Sequence, residues 1–296
     1  MAKRPSIGIV GPGKVGATLA RLLVRVGYDV KLVYARRNSE AEWLAAYVNG
    51  DAVNTPAEVL RRCDLTLLTV SDDAIAPVSQ SLTGHWQGKA VVHTSGAHDL
   101  HALDALARRG AMVGSLHPAF PFADVETAMA GLSGAAYAVE ASHDLLHGWL
   151  NDLVTAIDGR VLAIPPGKKA LYHAALVIAS NYAVALYAAS ESLLVDMGAD
   201  KEAVKAALDV MMAATIENLR TQGVPAALTG PLTRADIGTL KAHQAVLADQ
   251  SNLPDQPELA TLYVDLARLA YPMLRARGVD TDFIERHFTQ GNSNHE

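Results

Sequence analysis

The stretch Ile7-Gly8-Ile9-Val10-Gly11-Pro12-Gly13-Lys14-Val15-Gly16 constrains this chain more than any other. An apolar run over residues 6–10 reads as a strand. It passes through three glycines spaced G-x-G-x-x-G into a helical pattern, where Val15, Leu19, Leu22, Leu23 and Val26 recur at helix spacing. Each glycine has a separate task. Gly11 makes the tight turn, Gly13 lets a pyrophosphate approach the backbone, and Gly16 lets helix and strand pack closely. The phosphate charge then rests on free N–H groups at the helix N-terminus. Gly11, Pro12, Gly13, Lys14, Val15 and Gly16 are therefore read as a dinucleotide-binding turn, because the strand before it and the helix after it are both present.

The next strand, residues 30–34, runs into Tyr34-Ala35-Arg36-Arg37-Asn38. A site for NAD places Asp or Glu here to accept from the ribose 2′-hydroxyl. This chain offers Arg36 and Arg37 instead, and its first acid is Glu40. Guanidinium groups pair with a 2′-phosphate, so the expected cofactor is NADP.

Further candidate strands cover residues 52–54, 64–70, 90–94, 112–116, 135–139 and 160–164, with a helix over 144–157 carrying Leu145, Leu146, Trp149, Leu153 and Ile157. Strands alternating with helices predict an α/β fold, a doubly wound and mostly parallel sheet. Pro165-Pro166-Gly167 breaks the pattern, which becomes helical over 168–197, 201–221, 233–249 and 258–277. The expected organisation is a Rossmann domain over 1–164 and an all-α domain over 165–296. Only the last six residues read as disordered.

Ligands of open α/β sheets bind at the carboxyl ends of strands. Those ends hold Val70, Ser71, Asp72 and Asp73, then Ser95 and Gly96, then His117. Val70, Ser71, Asp72, Ser95 and Gly96 are candidates for the cofactor and His117 for a substrate. Asp72 and Asp73 equally suit the first turn of a helix. At the start of the second domain Lys169, His173, Leu176, Ser180 and Tyr187 share one helical stripe. Lys169 and His173 could hold or deliver a proton across an interdomain cleft, and Ser180 could touch a substrate. Asn181 lies about 120° round from Lys169 by the helix period. A long core helix with a solvated lysine at its start is the competing reading. Thr229 and Thr233, in Leu228-Thr229-Gly230-Pro231-Leu232-Thr233, could face the cofactor, or Thr233 could cap a helix.

Composition narrows the class. The 296 residues carry a net charge of −6 and no basic stripe, which argues against a nucleic-acid partner. A single cysteine, Cys63, rules out a disulfide framework and suits a reducing, cytoplasmic setting. No signal-peptide core follows Met1. Residues 171–190 hold no Asp, Glu, Lys or Arg, yet their His, Ser, Asn and Tyr residues favour a buried central helix over a membrane span. No H-E-x-x-H or cysteine cluster suggests a metal.

These residues resemble the 6-phosphogluconate dehydrogenase-like superfamily, which includes ketopantoate reductase, β-hydroxyacid dehydrogenases and pyrroline-5-carboxylate reductase. The phrases Ser115-Leu116-His117-Pro118, Lys169-Ala170-Leu171-Tyr172-His173, Ser180-Asn181-Tyr182 and Leu228–Thr233 are similar to a little-characterised branch. That branch joins a Rossmann-like NADP-binding domain to a helical C-terminal domain of unknown function. The resemblance matches Lys169 to a catalytic lysine, with His173 standing where the reductases have asparagine; Asn181 is a third catalytic candidate, which shares the site only if the cleft is wide or the helix bends. It also implies a homodimer formed through the C-terminal helices. The expected activity is NADP-dependent reduction of a small keto acid or imine; the alternative is a non-catalytic NADP(H) sensor or partner subunit.

Overall fold

The computed structural model describes residues 4–249, 256 and 258–289, so the expected disordered tail lies outside the described residues. Contacts divide the chain into two compact units, Met1–Tyr182 and Ala183–Glu296.

The first unit runs β1 (Ile7–Val10), α1 (Lys14–Arg25), β2 (Val30–Tyr34), α2 (Asn38–Val48), β3 (Asp51–Ala52), α3 (Pro56–Arg62), β4 (Leu65–Leu68), α4 (Asp72–Ser81) and β5 (Ala90–His93). It continues through α5 (Asp104–Ala107), β6 (Met112–Pro118), α6 (Val125–Gly131), β7 (Ala136–Ala141), α7 (Asp144–Ala156), β8 (Arg160–Ala163) and α8 (Lys169–Ala179). The eight strands form one sheet in the order β3-β2-β1-β4-β5-β6-β7-β8. Every neighbouring pair is parallel except β6 and β7, which are antiparallel. The α/β fold and the mostly parallel sheet are thus as the alternating pattern predicts.

Period-two alternation sorts the core into two layers. Ile7, Ile9, Leu65, Leu67, Ala90 and Val92 join one layer with Leu19, Leu23 and Leu44. Val10, Leu68 and Val91 join the other with Val59, Leu60 and Ile75. Strands covered on both faces are buried throughout, as in β1, β4 and β5. On α7 the buried stripe is Leu146, Leu150, Leu153 and Val154. Leu145, expected on it, is exposed, because the true stripe is offset by one residue. Thr55 caps α3 by accepting from the Glu58 N–H at 3.3 Å, with Pro56 in the first turn.

The first compact unit does not stop at residue 164 but continues through α8, whose first turn is tied to β6 and β7 by Lys169. The single long helix expected over 168–197 is two helices. α8 ends at Ala179, Ser180 departs from ideal helical dihedrals (φ −115°, ψ −67°) while its N–H still donates to the Leu176 carbonyl at 3.0 Å, and α9 (Asn181–Asp196) follows.

The second unit holds most of α9, then α10 (Lys201–Gln222), α11 (Ile237–Ala248), α12 (Leu259–Ala276) and α13 (Thr281–Ile284). Asp200 caps α10, accepting from the Ala203 N–H at 3.0 Å. The core gathers Leu240, Val264, Ala267, Tyr271, Leu274, Ile284 and Phe288. The expectation of a buried central helix is overturned, since α9 buries no residue within the chain. The segment Lys169–Asp196 is long and apolar enough to cross a membrane by length and composition. An apolar sequence marks a helix that wants covering, but not what covers it.

Candidate functional site

The glycine turn lies where the strand order reverses, between β1 and its neighbours β2 and β4. Gly11 has φ +95°, a conformation that glycine adopts freely, and its N–H donates to the Tyr34 carbonyl at 2.9 Å. A Cβ on Gly16 would sit 2.3 Å from Thr69 Oγ1 and 2.5 Å from the Gly11 oxygen, so the third glycine is dictated by packing. The Thr69 hydroxyl donates to the Gly11 carbonyl at 2.5 Å and holds the turn. Gly13 meets nothing within 4 Å of an added Cβ, and the N-terminus of α1 has no side-chain cap. Its N–H groups point outward from an open turn, and a pyrophosphate suits them.

A cavity of about 810 Å³ opens at this turn. Its wall includes Gly11, Pro12, Gly13, Arg36, Arg37, Val70 and Ser71. Lys14 is exposed at the start of α1, Val15 is half-buried, and Gly16 is buried beneath the turn. The two arginines differ. Arg37 is paired with Glu40, whereas Arg36 is exposed with no hydrogen bond or ion pair among the described residues. Asp72 is outside the cavity wall, in the first turn of α4 after Ser71.

A second cluster forms at the ends of β5 and β6, within the first unit. His93 is fully buried. Its Nδ1 accepts from the Ser95 N–H at 3.2 Å, which places its own proton on Nε2, 3.1 Å from the Asp99 carbonyl. Burial, helped by the nearby Lys169 charge, pulls its pKa down to about 4. The Ser95 hydroxyl accepts from the N–H groups of Ala97 and His98, so it shapes its own turn. Gly96 lies against two imidazoles; a Cβ there would be 2.7 Å from both His117 Nε2 and His173 Cδ2.

His117 Nδ1 is 2.7 Å from the Tyr172 hydroxyl, and the His117 and His173 rings meet edge to face at 6.1 Å. Burial first, then the charges of Lys169 and His173, bring His117 down to about 4, and burial pushes Tyr172 up to about 12. Both groups are therefore neutral near pH 7. β4 and β5 are neighbours in the sheet with Leu68 opposite His93, so the end of β4 that lines the cavity adjoins this cluster.

Lys169 is 3% exposed. Its ammonium donates to Ser115 Oγ and, at 2.5 Å, to Glu140 Oε2. Ser115 and Glu140 are direct partners in the antiparallel register of β6 and β7. Lysine at a helix N-terminus opposes the dipole, and the Glu140 carboxylate offsets that cost. Lys168, one position earlier, is exposed.

The cluster thus brings together His117, Lys169, His173 and Gly96 from the sequence-derived candidates. Asn181 is exposed, and Ser180 occupies the break before α9. In the second unit Thr229 is exposed, and the Thr233 hydroxyl donates to the Gly230 carbonyl at 2.8 Å. The cap of α11 is Asp236, not Thr233, because the chain after Gly230 first makes a short 3-10 turn over Pro231–Arg234. Tyr187 does not join the cluster; its hydroxyl donates to Asp209 at 2.8 Å.

Reading residue types alone missed Glu140, Ser115, Tyr172 and His93. Two signals were available. Ser115 and His117 sit at period-two spacing at a strand end, and Glu140 is the one charge on an otherwise apolar strand.

Residues 1–118 match a Rossmann-like domain and residues 135–270 a domain of unknown function, DUF2520. No curated protein matches the chain. Among solved structures, a protein from Thermotoga maritima is 22% identical with a TM-score of 0.70, over 92% of this chain and 99% of that one. A candidate NADP oxidoreductase from Bacteroides fragilis is 23% identical with a TM-score of 0.68, over 90% and 97%. An imine reductase from Pseudomonas sp. is 20% identical with a TM-score of 0.62, over 94% and 96%. At these identities the likeness is one of fold: an N-terminal Rossmann-like domain, with residues 135–270 similar to the DUF2520 domain.

Proposed function

We propose that the protein is an NADP(H)-dependent oxidoreductase that reduces the double bond of a small imine or keto acid. One observation carries this reading. An open glycine turn with a free arginine at its mouth adjoins a cluster of neutral, proton-bearing side chains at the next strand ends. The fold shared with the Pseudomonas imine reductase supports it.

The N–H groups opening α1 bind the pyrophosphate, and Arg36 pairs with the 2′-phosphate. NADPH, when bound, supplies a hydride. Gly96, having no Cβ, lets the turn after β5 pack against His117 and His173. Lys169 is an anchor in this reading, because its ammonium already serves Glu140 and Ser115. We further propose that α9 and α10 pair with a second copy of the chain. Val184 on α9 and Val210 on α10 are 69% and 71% exposed, and Met211 and Ile216 are also bare.

Fluorescence titration with NADPH and NADH, followed by NADPH oxidation with a panel of cyclic imines and 2-keto acids, tests the assignment. A charge-assisted contact at Arg36 gives NADPH roughly a ten- to hundred-fold advantage, which Arg36→Ala removes. Equal affinity for NADH sinks the cofactor assignment. Tight NADPH binding without turnover favours a sensor or partner subunit.

A further inference from the structure

The first turn of α8 meets the end of β6 in register. Ser115 and His117 share one face of the strand, while Leu116 between them enters the core. Lys169 meets Ser115, Tyr172 meets His117 three residues later, and His173 lies beside the same ring. Of the groups that carry a proton here, the Lys169 ammonium is buried and held by two partners. His93 has both ring nitrogens engaged by backbone. The Tyr172 hydroxyl is different. It is half-buried, keeps its proton across the working pH range, and touches a ring nitrogen that can replace that proton.

We propose that Tyr172 is the catalytic acid of the reduction and that His117 is the relay that restores its proton. The proposal rests on the oxidoreductase reading. As hydride reaches the substrate carbon, the π pair of the C=N or C=O bond moves to the heteroatom. The Tyr172 O–H bond breaks and its proton goes to that atom, leaving an amine or alcohol. The phenolate oxygen takes the Nδ1 proton of His117 while Nε2 takes one from water. The ring changes tautomer without gaining charge, and exchange with solvent restores it. One solvent proton is consumed per turnover.

The surroundings suit this relay. The titratable groups that act on His117 are Lys169 and His173 on α8, His93 on β5 and Asp72 on α4, and burial keeps it neutral among them. Its Nε2 has no hydrogen-bond partner among the described residues, and Gly96 packs beside it so closely that an added Cβ would lie 2.7 Å away.

The test compares wild type, Tyr172→Phe, His117→Asn and the double variant, using NADPH with the same panel of imines and keto acids. Tyr172→Phe is expected to bind NADPH within twofold of wild type, to keep KM, and to lose roughly 10²–10⁴-fold in kcat. The double variant is expected to be no slower than Tyr172→Phe alone, because the two groups act as a unit. In protein without cofactor, the His117 ring-nitrogen resonance shifts in Tyr172→Phe through loss of the 2.7 Å contact. A Tyr172→Phe protein within threefold of the wild-type kcat overturns the acid, and additive losses in the double variant overturn the relay. A wild type that binds NADPH but turns over no member of the panel overturns the oxidoreductase reading, and the proposal with it.

Discussion

The two compact units solve the problem of burial differently. In the first, three central strands are buried along their whole length, and the deeply placed Lys169 has a carboxylate and a hydroxyl as partners. In the second, α9 buries nothing, and α10, at 22 residues, buries only Val204 and Leu208. The sheet of the first unit completes its core from its own chain, although α8 leaves Leu171 and Ile178 exposed; the second unit leaves the apolar surface of α9 and α10 bare. A sheet with helices on both faces closes its core locally, whereas an apolar helix is stable in water only against something else.

The sharpest way to break this comparison is to charge the bare surface. With Val184→Glu and Val210→Glu together, a protein that pairs through α9 and α10 loses its dimer, on the scale of about 2 kcal/mol or more at each interface hot spot. Sedimentation equilibrium reads the change. A wild type that is monomeric at micromolar concentration, or a double variant that stays dimeric, removes the second copy as the covering partner.

Next in size is Lys169→Ala. Removing one partner of a buried pair leaves Glu140 uncompensated, at a cost of about 3–5 kcal/mol. Urea unfolding measures it, and Lys168→Ala, at an exposed position, serves as the control with little change. A cost below about 1 kcal/mol for Lys169→Ala shows that the pair does not hold α8 to the sheet.

A smaller effect comes with acid. His93 has a folded pKa of about 4 against an ordinary 6.5. Between those values the unfolded chain binds the extra proton, so stability falls as pH drops from about 6.5 to 4, by up to roughly 3 kcal/mol. His117 acts in the same direction. Midpoints that stay level from pH 7 to pH 4, or a His93→Asn variant with the wild-type slope, contradict the burial of a neutral imidazole.

Much of the first unit was legible because its signals are local. The strand–glycine–helix passage, the second strand and the break at Pro165-Pro166-Gly167 each follow from neighbouring residues. The β2 bounds agree with the sequence reading, and the other strands shift by a few residues at their ends. The site was half legible. His117, Lys169 and His173 stood out as residue types, but the contacts that define their tasks are long-range. Glu140 reaches Lys169 only because β7 runs antiparallel to β6 in a register opposing Ser115 to Glu140. Nothing in the spacing of residues 115, 140 and 169 announces that meeting.

By itself the sequence determined the glycine turn, the alternation that builds the sheet, and the two arginines that follow β2. These depend on backbone conformation and side-chain period, which act over a few residues. The tertiary structure decided the rest. It surrounded the Lys169 ammonium with Ser115 and Glu140, kept two imidazoles neutral by burying them, and set Tyr172 against His117. Desolvation and pairing belong to the assembled environment of a group, and no residue carries that environment in its own identity.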